Sequence, residues 1–146
     1  MAAPIYATET DVERFTGSAY PTDRTSRVDL REASALVAAA LRNDWLAVDV
    51  AGLPVDANAR DAVNDATCAQ IETWIAADVD PIASPMAVLA DDAVTSASLG
   101  SGSYSTESGA AASSATAKAD LASTLHPRAY RILRAAGLAS RTIVAV

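Results

Sequence analysis

Apolar residues recur every three or four positions over two long stretches of the chain, which is the period of an amphipathic helix. The first stretch predicts a helix over roughly 24–48, with a stripe formed by Leu30, Ala33, Val37, Leu41, Trp45 and Val48. The second predicts a helix over roughly 57–78, with a stripe formed by Val63, Ala66, Ile71, Trp74 and Ile75. The connection between them contains Gly52 and Pro54 and is short, which favours an antiparallel helix pair whose two tryptophans share one core.

A short helix is predicted before this pair. Thr10 and Glu13 stand three residues apart and can form a capping box, in which each side chain bonds the other residue's backbone N–H. Gly17 follows as a stop signal, because glycine readily adopts the left-handed conformation that ends helices. The sequence therefore predicts a helix of about two turns that ends near Thr16.

A second short helix is predicted near the end of the chain. His126 is the expected N-cap, and Pro127 at the first helical position has its backbone pre-set for the helix. Gly137 fits the residue just past the helix, where Leu138 can contact Leu133 in a Schellman motif. Entry and exit of this helix are thus both predicted from local residues.

Two segments outside the helices have the pattern of β structure. Small polar strands flank a Gly100–Gly102 turn and predict a hairpin over about 93–107. The end of the chain, 139–146, is rich in β-branched residues and predicts a strand-like tail that adds to this hairpin or to a sheet of another protein. The Ala/Ser-rich stretch 108–123 is compatible with a flexible linker or with a helix.

These elements predict one domain over 1–146 and a mainly α fold class. The architecture expected is a small helical bundle built on the antiparallel long-helix pair. Its helical core would cover about 8–80 and 125–138, with the β-hairpin as an extension and the tail at the C-terminus.

Charge is unevenly distributed, and the net charge of −7 opposes nonspecific binding to nucleic acid or anionic membranes. Residues 43–117 hold eleven acids and one base, whereas the chain from Lys118 onward holds one acid and five bases. The two regions either form differently solvated faces or contact different partners. Arginines recur at every third position of the last helix (Arg128, Arg131 and Arg134), where they either face solvent or contact acidic protein or phosphate.

The residues that usually carry enzyme chemistry are few. One cysteine and one histidine exclude an internal disulfide and a structural zinc site. Cys68 is expected to fill space in the core, and His126 to cap a helix rather than act as a base. The aspartate pairs are expected to be solvated rather than to bind a cation. We therefore predict a non-enzymatic protein without cofactor or metal. Apolar runs are too short for a membrane span, and no secretory signal is visible, which predicts a chain that is made and used in a cytoplasm or is exported only as part of a particle.

The order and spacing of five features match a known protein family. They are Thr10-Asp11-Val12, the long Ala/Leu helix up to Trp45, Arg60 to Trp74, the Ser96–Gly100 hairpin with Tyr104-Ser105, and Leu125 to Leu138. In these features the chain resembles the head–tail connector, or adaptor, proteins of long-tailed bacteriophages. The match covers most of residues 8–138 and resides in the order of elements rather than in one motif.

The resemblance implies a structural virion protein that is assembled in the host cytoplasm and located in the neck of the phage. Such a protein joins neighbouring copies in a ring, expected to be dodecameric, beneath the portal protein. The ring continues the DNA channel and presents a platform to the next head-completion or stopper protein. DNA passes through without sequence-specific binding, which an acidic wall would favour by repelling phosphates.

Two sets of residues are predicted to make these contacts. The portal-binding set comprises Arg128, Arg131, Arg134, Arg141, Thr142, Ile143, Val144, Ala145 and Val146. The set facing the channel or a neighbouring copy comprises Asp61, Asp65, Glu72, Leu99, Gly100, Ser101 and Gly102. The alternatives are a small helical regulatory or chaperone-like protein that binds one soluble partner, and an enzyme that uses His126 or the acidic pairs.

Overall fold

The computed structural model describes residues 3–82 and 116–139, and this part of the chain is mainly helical. Four helices are formed, α1 (Glu9–Thr16), α2 (Ser26–Ala40), α3 (Ala57–Ala77) and α4 (Pro127–Ala135). Residues 116–123 are helical as well. Within the described residues there is no strand, only a single antiparallel bridge between Val48 and Pro54. The predicted mainly α class is confirmed for this part, whereas the predicted hairpin over 93–107 lies outside it.

Helix α3 is the centre of the fold and packs against α1, α2 and α4. Its length agrees with the prediction because both ends carry local signals. Asp56 is the N-cap and accepts a hydrogen bond from the Ala59 N–H at 2.9 Å. Asp78 ends the helix in the left-handed conformation, with φ of 53°. Small side chains let neighbours approach α3 from several sides, and its buried residues are Ala59, Ala62, Val63, Ala66, Thr67, Cys68, Ala69, Gln70, Ile71 and Trp74.

Helices α2 and α3 run antiparallel, as predicted. At one end, an Arg24 guanidinium nitrogen just before α2 donates to the Val79 carbonyl just after α3 at 2.7 Å. At the other end, Val37 late in α2 shares a buried cluster with Ala59 and Val63 early in α3. The start of each helix is therefore beside the end of the other.

The prediction that α2 extends to about residue 48 is wrong, because the helix ends at Ala40. Residues 41–44 form a turn in which the Asp44 N–H donates to the Leu41 carbonyl at 2.9 Å. The Asp44 carboxylate accepts the Ala139 N–H at 2.5 Å, a contact that fixes Asp44 away from a helical path. Trp45 is consequently fully exposed and does not meet Trp74, which is fully buried.

The capping box of α1 lies two residues before the predicted one. Thr8, not Thr10, is the N-cap, and Asp11, not Glu13, is its partner at the third position. Both pairs have the same spacing, so the sequence alone does not separate them. In the observed register Asp11 also contacts α3, because the Asn64 amide donates to its carboxylate at 2.9 Å. The predicted stop at Gly17 is confirmed, with φ of 76°.

The predicted ends of α4 are confirmed. His126 is the N-cap, and its Nδ1 accepts the Arg128 N–H at 3.1 Å. Past the helix, the Leu138 N–H donates to the Leu133 carbonyl at 2.9 Å, and the Gly137 N–H donates to the preceding turn. Gly137 has φ of 80°, which completes a Schellman motif.

Candidate interaction surfaces

A buried glutamine joins α3 to the segment that leads into α4. The Gln70 Oε1 accepts the His126 N–H at 2.7 Å, and its Nε2 donates to the carbonyls of Thr124 at 3.2 Å and Leu121 at 3.4 Å. The Trp74 indole N–H also donates to the Leu121 carbonyl, at 2.6 Å. These contacts, which we call the Gln70 junction, satisfy main-chain groups at the end of one helix and the start of the next. The junction therefore fixes α4, with its arginines, on α3.

The three predicted portal-binding arginines of α4 have different surroundings. Arg128 is partly exposed, forms an ion pair with Glu72 and lies over the Phe15 ring, with 5.2 Å from Cζ to the ring centroid. Arg134 is exposed and lies over the Tyr130 ring at 5.0 Å. Arg131 is exposed. Arg128 thus has partners within the fold, and Arg131 and Arg134 are the arginines of α4 presented to solvent.

Of the three acids predicted to face the channel, two are exposed and one has a partner within the fold. Asp61 and Asp65 are exposed and lie one helical turn apart on α3. Partial burial and the nearby carboxylates of Asp61 and Asp11 raise the pKa of Asp65. Glu72 is not part of this group, because it pairs with Arg128. Asp61 and Asp65 therefore form an acidic face on α3, beside which Asp11 is paired with Arg14.

The remaining predicted contact residues lie outside the described part of the chain. This holds for Leu99, Gly100, Ser101 and Gly102 of the hairpin, and for Arg141, Thr142, Ile143, Val144, Ala145 and Val146 of the tail. Their roles stay predictions.

The connection between α2 and α3 is an ordered turn that we call the apolar loop, residues 45–55. Its two sides are joined by main-chain bonds from Asp49 N–H to the Leu53 carbonyl at 2.8 Å and from Val55 N–H to the Ala47 carbonyl at 2.9 Å. The Asp49 carboxylate accepts the N–H groups of Ala51 at 2.8 Å and Leu53 at 3.0 Å. The loop therefore has one defined conformation.

This loop presents large hydrophobic side chains to solvent. Most of the exposed large hydrophobic residues of the described chain are here, namely Trp45, Val48, Val50 and Val55. Pro4 of the N-terminal segment packs against Gly52, since a Cβ added to that glycine would lie 3.2 Å from the proline Cβ. Ile5, beside Pro4, is exposed as well. The helical period assigned Trp45 and Val48 to the core, so the sequence prediction missed this surface. The turn residues between Asp49 and Pro54 were the sequence feature that could have indicated an earlier end of the helix.

A buried ion pair connects the other ends of the two long helices. The Asp29 carboxylate is held by Arg24 through two hydrogen bonds, of 2.9 Å and 3.1 Å, and accepts the Tyr20 hydroxyl. Burial, together with the Asp29 carboxylate, raises the pKa of Tyr20 above its usual value. A cavity of about 360 Å³ opens beside this pair. Because the ionised groups are paired with one another, the arrangement acts as a clamp between α2 and the end of α3.

The cysteine and the histidine of the chain both have structural positions. Cys68 is fully buried, and burial raises the pKa of its thiol to about 12, so it is protonated at neutral pH. The His126 Nδ1 caps α4. Among residues 3–82 and 116–139, no three His, Cys, Asp or Glu side chains converge as metal ligands would. In the same residues, no helix is both long and apolar enough to cross a bilayer.

Comparisons of the chain with protein-family models, with curated proteins and with solved structures found no match.

Proposed function

We propose that this chain is a structural subunit of a bacteriophage head–tail connector, a ring that binds beneath the portal and continues the DNA channel. The order of helices along the chain and the resemblance noted above support this assignment. In this role the protein works through its surfaces and carries out no reaction.

One observation carries the proposal: oppositely charged groups are exposed on different elements. Asp61 and Asp65 extend the acidic face along α3, whereas Arg131 and Arg134 are exposed on α4. A ring needs heterologous interfaces, in which two different patches of the same subunit meet. Opposite charges on two such patches steer the approach of neighbouring copies and fix their order.

The test is to mix the purified protein with the portal protein of its phage and to examine the product by electron microscopy. We expect a ring of this protein stacked on the portal ring. Charge reversal of Arg131 and Arg134 to Glu should prevent ring formation, because the acidic face of the neighbour would then repel α4. Combining it with Asp61→Lys and Asp65→Lys should restore the ring. Subunits that bind the portal neither as wild type nor as the restored variant would refute the proposal.

The acidic face should also influence the passage of DNA. Asp61→Asn with Asp65→Asn, which places no like charge opposite the arginines of the neighbour, should increase the retention of DNA in assembled particles in a salt-dependent manner, since fewer carboxylates then repel the phosphates. Glu72 is left unchanged, because its substitution would remove the ion pair with Arg128. The matched control is Asp23→Asn with Asp120→Asn, which changes the charge equally at exposed positions elsewhere. Equal DNA retention in both variants would mean that the acidic face does not line the channel.

The second candidate function is a small regulatory or chaperone-like protein that binds one soluble partner. The apolar loop favours it, because a contiguous exposed apolar surface is typical of protein-binding sites. Such a protein would form a complex of defined small stoichiometry and would not assemble on a portal. Size-exclusion chromatography with multi-angle light scattering separates this outcome from a ring.

A further inference from the structure

The chain leaves the described fold at a point fixed beside the apolar loop. Leu138 and Ala139 are buried, and the Ala139 N–H donates to the Asp44 carboxylate at 2.5 Å. Asp44 immediately precedes Trp45, the largest exposed hydrophobic side chain of the loop. The segment that follows Ala139 therefore starts within one residue of this surface.

The apolar loop has a main-chain edge that its own hydrogen bonds leave unused. The N–H groups of Asp49 and Val55 bond across the turn to Leu53 and Ala47. Val48 and Pro54 face each other between these two hydrogen bonds. At such a position of an antiparallel pair, the N–H and C=O of Val48 point away from Pro54 and outward from the turn. An edge of this kind, next to exposed apolar side chains, is suited to accept one more extended segment.

The residues after Ala139 have the chemistry that this edge requires. Thr142, Ile143, Val144 and Val146 are β-branched and favour an extended conformation. Seven extended residues span about 23 Å at about 3.3 Å each, which is enough to run along the whole loop. Arg141 follows Ala139 by two positions, and the Ala139 N–H is bonded to the Asp44 carboxylate.

We propose that residues 141–146 dock on the apolar loop of the same molecule, where they add a short strand at Val48 and cover Trp45. The fixed exit point favours the same molecule over a second copy, because a short tether gives the segment a high effective concentration at the loop. This inference stands on the geometry around Ala139 and does not require the connector role.

The test is quenching of tryptophan fluorescence by acrylamide in the full-length protein. Trp45 and Trp74 are the two tryptophans, and a Trp45→Phe version of each variant gives the Trp74 signal to be subtracted. We expect Trp45 to be shielded in the full-length protein. Removal of residues 141–146 should raise its quenching to that of a free tryptophan amide. The full-length variant Ile143→Asp with Val144→Asp should do the same, and it serves as the test if the truncated chain does not fold.

Three outcomes decide the proposal. Nuclear Overhauser effects between the Trp45 indole and the methyl groups of Ile143 or Val144, unchanged on dilution, would confirm it. Equal quenching of Trp45 in the full-length and both altered proteins would overturn it. Shielding that disappears on dilution would also overturn it, because the occupant of the loop would then be a second copy.

Discussion

The Gln70 junction should be a sensitive polar site of the fold. Gln70→Ala removes the acceptor of the His126 N–H and the donor to the Thr124 carbonyl. The Leu121 carbonyl keeps its bond from the Trp74 indole at 2.6 Å. The variant therefore loses three hydrogen bonds between α3 and the segment that leads into α4, and two of the main-chain groups involved are left without a partner on α3.

The expected loss of stability follows from these contacts. A buried main-chain donor left without a partner costs about 1–3 kcal/mol. The buried methylene removed with the side chain adds roughly 0.8 kcal/mol, and the unpaired carbonyl adds a smaller amount. Gln70→Ala should thus lower the free energy of unfolding by about 2–4 kcal/mol. Urea denaturation followed by circular dichroism measures this change, and Asn58→Ala, an exposed position of the same helix, is the matched control.

The variant Gln70→Glu tests the geometry more closely. Glutamate has the shape of glutamine and keeps an oxygen that accepts the His126 N–H. Its second carboxylate oxygen replaces the amide nitrogen and faces the carbonyls of Thr124 and Leu121. Burial and this repulsion raise the folded-state pKa of the new carboxyl group. Stability relative to wild type should therefore be lowest at neutral pH and should recover as the pH falls below that pKa, when the protonated acid can donate. If Gln70→Ala is no more costly than Asn58→Ala, the junction does not hold α4 on α3.

Three further predictions concern the core, the clamp and the thiol. Trp74→Ala should lower the free energy of unfolding, measured by urea denaturation, by about 3–5 kcal/mol. Trp45→Ala in the chain without residues 141–146 should change it by less than about 0.5 kcal/mol. Equal losses would contradict the assignment of one buried and one exposed tryptophan. Arg24→Met should cost about 3–5 kcal/mol because the buried Asp29 carboxylate would lose its cationic partner, and adding Asp29→Leu should recover most of the loss. A single variant with wild-type stability would refute the clamp. Labelling of Cys68 by a disulfide reagent at pH 8 should proceed at the rate of global unfolding, since the pKa of the buried thiol is raised to about 12; fast labelling of the native protein would show that the thiol is accessible.

Helix ends set by neighbouring residues could be predicted from the sequence. The N-cap at His126 and the Schellman motif at Gly137 depend on side chains and main-chain groups within a few positions. The same is true of Asp56 at the start of α3. These contacts form whatever the rest of the chain does, so a local pattern is sufficient to find them.

Features set by distant residues could not be predicted in this way. The turn that follows α2 includes a contact of Asp44 with Ala139, which is 95 positions away. The observed α1 cap includes a contact of Asp11 with Asn64, which is 53 positions away. In the candidate surfaces, pairing of Arg128 with Glu72 likewise joins different helices. A periodic pattern identifies which residues suit a helix, but it does not identify the tertiary contact that ends it.

The two proposals for the C-terminal segment lead to a joint prediction. If residues 141–146 cover Trp45 in the free subunit, a portal sheet that binds this segment must first take it from the apolar loop. Docking would then exchange one edge for another, and main-chain hydrogen bonds would be kept in both states. Titrating portal protein that lacks tryptophan into the subunit should therefore increase the quenching of Trp45 in parallel with ring formation. The variant Ile143→Asp with Val144→Asp, which favours neither edge, should show high quenching from the start and should not form the ring. A ring that forms while Trp45 remains shielded would mean that the portal contacts a surface other than residues 141–146.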